Sequence, residues 1–494
     1  MTTLVRIPIS VPIKKVCSTP NGWIDILNFK PELVQAYFFN SHLEIKKPWL
    51  LVWIIIPRLC MSDYIKNAGW IFAEKFIRII VGFVLFALIS RVLGPTEFGF
   101  LSYYQTIATM LLAITSLGFD NVLINKFHQR KDHDVIFSTA FWSRIGCSVL
   151  IIAIFFVGLC FETSSLQNKF VLMACLVSLV FQTQNTYFSY YQSQLKAAII
   201  TKVSLVSLIV SSLVKIFLLY KGADVLWFAA SYSFDFFVSF IFIILLSNRK
   251  QYISVNISHF NIKMLKLLLR ESWPIIASSI IIVLYTRLDQ IMIMKMLGAD
   301  SVALFSVAIR IAEAYIFIPA ALVTSYYPLI SRKTTKNNVL FYFDVVYFSA
   351  FSMALLVAIS AYYLIPLMFG MHYLDSYYVM LILLLGTTFA VFGSACTNLM
   401  IIYGLTYLRL VRAVFGLLIN FSLNIILIPR FGIIGAAISS LISQLFAAWI
   451  SNAFNKKTFE CFRWQTTTVL TFGIPGTVKL FNMLRGKEAT ENDI

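Results

Sequence analysis

Long apolar segments alternate with short polar ones along most of this chain. Twelve segments are long and apolar enough to cross a lipid bilayer as α-helices, which need about 20 such residues. These predicted spans are 67–91, 98–118, 136–160, 168–193, 200–220, 224–247, 271–296, 302–327, 339–368, 375–403, 407–428 and 432–454. The pattern therefore predicts an all-α, polytopic membrane protein with about 12 transmembrane helices.

Two parts of the chain repeat a short pattern. RVLGPTEFGFLSYYQTI (91–107), at the junction of spans one and two, resembles KMLGADSVALFSVAIRI (295–311), at the junction of spans seven and eight. KGADVLWFAASYSF (221–234) likewise resembles RFGIIGAAISSLIS (430–443). Both pairs fall at the same place in each set of six spans. We therefore expect two pseudo-symmetric six-helix bundles, arranged as parallel repeats around a central cavity with alternating access.

The charges between the spans predict an orientation. Fifteen Lys and Arg residues lie after even-numbered spans and five after odd-numbered spans. Because basic loops stay in the cytoplasm, we expect the even loops and both termini there. The predicted parts are an extension (1–60), a first bundle (61–247), a basic connecting loop (248–270), a second bundle (271–455) and a cytoplasmic tail (456–494).

The two ends of the chain differ in character from the bundles. Residues 1–60 hold six of the 13 prolines, and the apolar stretch 48–56 is too short to span. Our hypothesis is that Met61 is the natural initiator, the alternative being a genuine interfacial arm. In the tail, Pro475 and Gly476 interrupt the apolar stretch 466–481, which predicts a surface-lying segment rather than another span.

The composition agrees with a membrane protein. The chain of 494 residues is 59% hydrophobic and 13% charged, whereas a soluble domain has about 25% charged residues. The net charge of +18 is explained by basic cytoplasmic loops and anionic lipids, or in part by an anionic substrate. No long basic run indicates nucleic-acid binding, and the seven Cys and five His are too scattered to predict a metal site.

The stretch 72–107 resembles the opening of polysaccharide-repeat flippases, the O-antigen (Wzx-type) and related exporters of the multidrug/oligosaccharidyl-lipid/polysaccharide superfamily. Arg91, Leu93, Gly94, Pro95, Glu97 and Gly99 match the family's pattern there. RLDQIMI (287–293), SYYPLISR (325–332) and FGIIGAAISSLIS (431–443) are similar to its later segments. The resemblance covers roughly 67–455.

This resemblance implies a flippase that moves undecaprenyl-diphosphate-linked oligosaccharide units from the cytoplasmic to the periplasmic leaflet, for O-antigen or capsule synthesis. The protein would then be a transporter without cofactors in the bacterial inner membrane. Its expected partners are the lipid-linked substrate, membrane lipids, and polymerase and chain-length proteins. The resemblance does not indicate which sugars are carried.

Ionisable residues inside the predicted spans are the candidate functional groups. Near the bilayer centre each costs about 2.5–3.5 kcal/mol on insertion scales and usually faces a cavity. The basic candidates are Lys75, Arg78, Lys215, Arg287 and Arg310. Because Lys and Arg form strong hydrogen bonds with diphosphates, we predict that they line a cationic passage, with Arg287 foremost. Asp235, Asp289 and Glu313 are predicted to pair with these cations or to bind a coupling H⁺ or Na⁺.

These residues also have purely structural interpretations. Lys75, Arg78 and Lys215 lie where a long side chain reaches the membrane interface. Arg310 and Glu313, three residues apart, can pair on one helix. The polar aromatic stretch 182–192 in the fourth span predicts either sugar contacts or, as is more usual, helix packing.

Other classes of membrane protein fit the pattern less well. A polymerase or ligase would need a sizeable periplasmic loop for its catalytic groups, and every predicted outside loop is short. A multidrug exporter of the same fold would favour an acidic passage for cationic drugs. A lipid II flippase would be expected to show two additional helices.

Overall fold

The computed structural model describes residues 48–161, 165–194, 196–249, 255–332 and 334–484, and most of their side chains from Ala73 onward. The chain divides into two compact units, residues 1–75 and 76–494. In the first unit, the described backbone is helical from Pro48 and continues through Met61. The predictions for residues 1–47 and 485–494 lie outside the described residues, and the predicted part boundaries stay predictions.

The described residues form helices and contain no β-strand. In chain order the helices are α1 (Pro48–Thr115), α2 (Phe119–Gln129), α3 (His133–Phe161), α4 (Leu166–Leu176), α5 (Ser178–Phe181), α6 (Asn185–Ser193), α7 (Ala197–Lys221), α8 (Val225–Arg249), α9 (Ile262–Leu297), α10 (Ala299–Ala314), α11 (Phe317–Arg332), α12 (Lys336–Met368), α13 (Ser376–Ile402), α14 (Thr406–Ala448), α15 (Phe459–Leu470) and α16 (Ile474–Leu484).

Ten helical segments in the described part of the chain are long and apolar enough to cross a membrane. Two of them contain two spans each, because a glycine breaks the helix. Gly94 divides α1 with φ 73° and ψ 173°, and Gly432 divides α14 with φ 60° and ψ −140°. Positive φ is accessible to glycine at little cost. The predicted class, an all-α multi-pass membrane protein with about twelve passes, is confirmed.

Two predicted spans are less regular than expected. The segment 168–193 is divided among α4, α5, a 3₁₀ turn at Gln182–Gln184 and α6. The segment 302–327 is divided between α10 and α11. Apolar periodicity identifies a span but does not reveal such local interruptions.

The first repeated pattern has a structural counterpart. Gly298, between α9 and α10, has φ 92° and ψ −177°, close to the conformation of Gly94. Gly94 and Gly298 occupy equivalent positions in the two copies of the pattern. The two halves therefore make the same turn at the same place, as a duplicated bundle requires.

The halves meet closely beside these turns. An ideal Cβ atom built on Gly99 would lie 1.9 Å from the carbonyl oxygen of Ala299. Nearby, the Tyr373 hydroxyl donates to the carbonyl oxygen of Ser90 at 3.1 Å, and Arg91 Nη1 donates to that of Leu367 at 3.3 Å. A single hydrophobic cluster joins residues of both halves, including Phe98 and Phe305. The two bundles are thus in contact at the end of the molecule where the odd-numbered loops lie, the odd-loop end. We call this arrangement the sealed state.

Helix α9 begins against one half and ends in the other. It starts at Ile262, inside the segment predicted as a loop, and Leu268 is buried in the core cluster of the first half. There Lys126 Nζ lies 2.6 Å from Glu271 Oε1. Further along, Asp289 contacts α14 of the second half. Pro274 lies between these two sets of contacts. Helix α9 therefore packs against the first half near its start and against the second half near its end.

The C-terminal segment forms the pair α15 and α16, and neither is among the helices that could cross a membrane. Thr468 Oγ1 donates to Asp344 Oδ1 at 2.6 Å, and the Gly476 N–H donates to Asp344 Oδ2 at 3.0 Å. Gln465 is fully buried and contacts Asn452. The tail is therefore packed onto α12 and the end of the second bundle.

Candidate functional site

The middle of α9 is partly exposed over its whole circumference, and we call the space beside it the cleft. Every residue from 275 to 288 is partly exposed, whichever side of the helix it lies on. A helix in lipid or in a core would instead show one consistently exposed or buried side. This stretch therefore borders open space within the bundle, and Arg287 lies near its end.

Arg287 pairs with Glu313 across α9 and α10. The distance between Arg287 Nη2 and Glu313 Oε2 is 3.2 Å, and the two side chains are 26% and 34% exposed. The pair is thus within reach of water in the cleft. The ion pair of Glu313 is with Arg287, and Glu313 also interacts electrostatically with Arg310 on its own helix. The pairing of Arg310 with Glu313 stays a prediction.

Arg310 reaches across the cleft to the first half. Its guanidinium carbon lies 5.3 Å from the centre of the Phe86 ring, in a cation–π contact. An ideal Cβ atom on Gly82 would be 3.4 Å from Arg310 Nη2. Arg310 also interacts electrostatically with Arg287 and Glu313. Two cations and one anion therefore meet here, leaving one net positive charge.

A hydrogen-bonded chain joins the halves one turn beyond Arg287. Thr106 Oγ1 of α1 donates to Gln290 Oε1 at 2.6 Å, and Gln290 Nε2 donates to Ser306 Oγ of α10 at 2.8 Å. All three side chains are buried. The amide of Gln290 thus contacts both bundles.

Asp289 points away from this cleft cluster into the second half, where it is 1% exposed. Its Oδ1 accepts from Asn420 Nδ2 at 2.9 Å and Asn424 Nδ2 at 2.6 Å, and its Oδ2 accepts from the Ser440 hydroxyl. Among the described side chains, no Lys or Arg lies within ion-pair distance of it. The carboxyl group is therefore enclosed by neutral oxygen and amide groups alone.

The other predicted residues lie elsewhere. Lys215 pairs with Asp235 between α7 and α8, inside the first half. Arg78 is exposed, and its Nη2 donates to the carbonyl oxygen of Ser204 at 3.1 Å. Lys75 is exposed on α1 and belongs to the first unit. The structure therefore brings Arg287, Arg310 and Glu313 together, and their contacts do not include the remaining candidates.

The tyrosines predicted for sugar contact are mostly core residues. Tyr187, Tyr190 and Tyr191 are at most 6% exposed and pack in the first half's core cluster. Gln182 and Gln184 are buried as well. In this conformation, the packing alternative describes these residues.

Sequence reasoning missed several polar residues inside the bundles. Asn420 and Asn424 lie four apart in an apolar span, which places them on one face of the helix. That spacing is a signal from which a buried polar site could have been predicted. Arg144 was missed although it lies in the predicted span 136–160 and is a charge in an apolar segment like the other candidates; it is 1% exposed and donates to Asp120, Thr186 and the carbonyl oxygen of Ser116.

Several solved structures share this fold. The lipid II flippase MurJ in an inward closed conformation gives a TM-score of 0.65 at 16% identity, over 85% of this chain and 94% of that chain. An inward-facing MATE family multidrug resistance transporter of the MOP superfamily gives 0.61 at 14% identity, over 80% and 95%. A MOP superfamily transporter from Pyrococcus furiosus gives 0.53 at 15% identity, over 83% and 96%.

The sequence comparison identifies the family more directly than the fold does. No curated protein matches this chain. The family model described as "Polysaccharide biosynthesis protein" matches residues 64–334, which is more than half of the chain. The predicted resemblance is confirmed: the chain belongs to the polysaccharide biosynthesis protein family and has the fold of the MOP superfamily transporters.

Proposed function

We propose that this protein is a flippase that moves undecaprenyl-diphosphate-linked oligosaccharide repeat units from the cytoplasmic to the periplasmic leaflet. The units would serve surface polysaccharide synthesis, as O-antigen or capsule. The protein would act in the bacterial inner membrane as a transporter rather than an enzyme. The observation that supports this most is the partly exposed cluster of Arg287, Arg310 and Glu313 in the cleft.

The cluster has the chemistry that a diphosphate headgroup requires. Moving an unpaired anion through hydrocarbon is far more costly than burying one paired side chain. Guanidinium groups donate several hydrogen bonds to phosphate oxygens and stay charged. Glu313 already holds one of the two guanidinium groups, so a bound headgroup competes with an internal anion. That competition weakens the binding of the headgroup and so favours its release.

Replacement of Arg287 tests the proposal. We expect Arg287→Ala to insert normally but to restore no surface polysaccharide in a strain that lacks its own flippase, and Arg287→Lys to restore part of it. The reason is that lysine keeps the charge but not the planar group of donors. Polysaccharide on immunoblots, normalised to the protein in membranes, is the measurement.

Lys295 supplies the matched control, because it is an exposed basic residue of the same helix. We expect Lys295→Ala to restore polysaccharide fully. If Arg287→Ala restored it fully too, Arg287 would have no part in moving the headgroup.

We further propose Asp289 as the site of a coupling cation, H⁺ or Na⁺. An ionised carboxylate is costly in an apolar interior unless a cation compensates it, and the described neighbours of Asp289 supply only neutral hydrogen-bond donors. The buried Asn424 Oδ1 has no hydrogen-bond partner among the described residues. This oxygen atom is therefore available to coordinate a bound cation. The other two acidic candidates, Asp235 and Glu313, are already paired with Lys215 and Arg287.

A further inference from the structure

A second basic site lies on the flank of the second half. It is a pocket of about 380 Å³ between the start of the second half's α14 and the end of the same helix. Its lining includes Arg412, Asn452, Phe415, Phe446 and Phe454. We propose that this pocket binds the phosphate group of a membrane lipid in the cytoplasmic leaflet.

Arg412 is the group that would hold the phosphate. Its Nη1 donates to Asn452 Oδ1 at 3.3 Å, and its Nη2 donates to Thr397 Oγ1 at 3.2 Å. Its other contacts are the sulfur atoms of Cys396 and Met400. Its Nε is buried and has no hydrogen-bond partner among the described residues.

These neighbours leave the guanidinium charge uncompensated. Among the described residues, no carboxylate lies within ion-pair distance of Arg412. A partly buried cation without an anion is costly, and a bound anion removes that cost. A phosphate also offers the acceptor oxygens that Arg binds in pairs. The pocket is therefore suited to an anion that the protein itself does not supply.

The pocket lies next to an exposed apolar face of α14, close to the start of that helix. Val411, Phe415, Leu418 and Ile425 are exposed at helical spacing, so this face of α14 is the one that contacts lipid chains. Arg412 is six residues after the start of α14, which corresponds to about 9 Å along the axis. The loop charges predict that this end lies in the cytoplasm.

The surroundings of the pocket suit both parts of a lipid. The rings of Phe415, Phe446 and Phe454 provide an apolar wall for chains. Arg409, Lys456 and Lys457 are exposed near its mouth and add positive charge that attracts anionic headgroups. The combination of one enclosed guanidinium, apolar walls and a basic rim distinguishes this pocket from a purely apolar groove.

The tail shapes the pocket and connects it to the fold. Asn452, which holds Arg412, donates from Nδ2 to Gln465 Oε1 of α15 at 2.7 Å. On the other side, the ring of Tyr285 in α9 lies 3.2 Å from an ideal Cβ on Gly416, one turn beyond Arg412. The site is thus bounded by the tail and lies one helical turn from the wall of the cleft.

Lipid binding to the purified full-length protein tests the proposal. The probes are dioleoyl phosphatidylglycerol, undecaprenyl diphosphate and dioleoylglycerol, the last having the same chains without phosphate. Native mass spectrometry in detergent would measure the bound fraction against lipid concentration. We expect Arg412→Gln to weaken binding of a phosphate lipid by about tenfold or more, because one charge-assisted contact is lost.

Two further variants make the test specific. Arg430→Gln removes an exposed charge from the same helix at a residue that does not line the pocket, and it should change binding by less than about twofold, as expected of screened surface charges. Val411→Trp narrows the pocket from its exposed side without touching the contacts of Arg412, so it should reduce binding while leaving the melting temperature unchanged. It keeps the test decisive if Arg412→Gln fails to fold.

The outcomes separate the two lipid sources. Binding of both phosphate lipids would identify a general phosphate site. Binding of undecaprenyl diphosphate alone would make the pocket a substrate site, which then depends on the proposed function. Equal binding of dioleoylglycerol, or unchanged binding in both Arg412→Gln and Val411→Trp, would overturn the proposal and leave Arg412 as a structural link between α13 and α14.

Discussion

At the scale of single residues, Glu313 sets how strongly the cleft attracts an anion. It pairs with Arg287 and lies near Arg310, so the three side chains carry one net positive charge rather than two. A transporter must release its substrate as well as bind it. Two cations without a nearby anion would bind an anionic substrate too strongly to release it. The acidic residue is thus a functional member of the cluster in our proposal.

Asp289 permits a direct prediction about coupling. We expect Asp289→Asn to fold normally, because an amide of the same shape accepts hydrogen bonds from Asn420 and Asn424 as the carboxylate does. The variant cannot bind or release a proton there and attracts Na⁺ less. Flipping in liposomes should therefore lose its stimulation by an imposed H⁺ or Na⁺ gradient, measured with a fluorescent lipid-linked oligosaccharide.

Asp235→Asn is the comparison for that experiment. Its carboxylate is compensated by Lys215, so we expect the variant to remain gradient-dependent even where its stability falls. Gradient stimulation that survives in Asp289→Asn would remove Asp289 from the coupling proposal.

The amino-acid sequence identifies the central charged residues but not their partners. Arg287, Arg310 and Glu313 stand out because charges are rare in apolar spans. Which carboxylate faces which guanidinium depends on the rotation of α9 against α10, and residue spacing does not contain that rotation. Arg412 lies near the start of the predicted span 407–428 and is counted with the loop charges that predict orientation, whereas the structure places it within α14 with contacts to α13.

At the scale of elements, Asp344 makes two polar contacts that help to hold the tail. Both carboxylate oxygens accept hydrogen bonds from the tail, one from Thr468 and one from the Gly476 N–H. We expect Asp344→Ala to destabilise the protein by about 1–3 kcal/mol, because it leaves a buried N–H without an acceptor. The measurement is the melting temperature of the purified protein, which should fall.

Ser352→Ala is the control on the same helix, since its hydroxyl is exposed. It should leave the melting temperature unchanged. An Asp344→Ala protein that melts at the temperature of the original chain would show that the tail does not depend on this contact.

Prediction from sequence is strongest for the apolar spans and weakest for the elements that join them. Length and hydropathy locate the passes, because a bilayer demands both. The first turns of α9 are moderately polar and resemble a loop by composition, yet Leu268 is buried against the first half. Pro475 and Gly476 are predicted to interrupt the tail, but the break between α15 and α16 lies at residues 471–473 and both residues are in the first turn of α16. The sequence also does not indicate the docking site of the tail, which depends on Asp344 far away in the sequence.

At the scale of the whole molecule, the contact of Gly99 with Ala299 holds the sealed state. A side chain at position 99 would overlap the Ala299 carbonyl group. We therefore expect Gly99→Ala to shift the population toward a state open at the odd-loop end. Glu97 and Asp300 are both exposed and can carry spin labels. Double electron–electron resonance should report a longer distance between the two labels in this variant.

Gly146→Ala is the matched variant, because nothing lies within 4 Å of its ideal Cβ atom. We expect it to leave the label distances unchanged. An unaltered distance distribution in Gly99→Ala would mean that the backbone contact does not govern the closure of this end.

The duplication is predictable at this scale, whereas the closed state is not. The repeated patterns alone place Gly94 and Gly298 at equivalent positions in the two halves. Whether the halves touch at one end or the other differs between states of the same sequence, so a pattern cannot specify it. The family and the general fold can thus be predicted from the sequence. Which end of the two halves is closed is seen only in the three-dimensional structure.

The close contact of Gly99 with the backbone of Ala299 limits how the two halves can evolve. The two copies of a duplicated bundle usually diverge independently, each constrained by its own packing. Here a larger residue at position 99 fits only if the backbone at Ala299, in the other copy, moves away. A substitution in one copy therefore constrains the other. A substitution at position 99 is therefore expected to be accompanied by a change in the chain around Ala299.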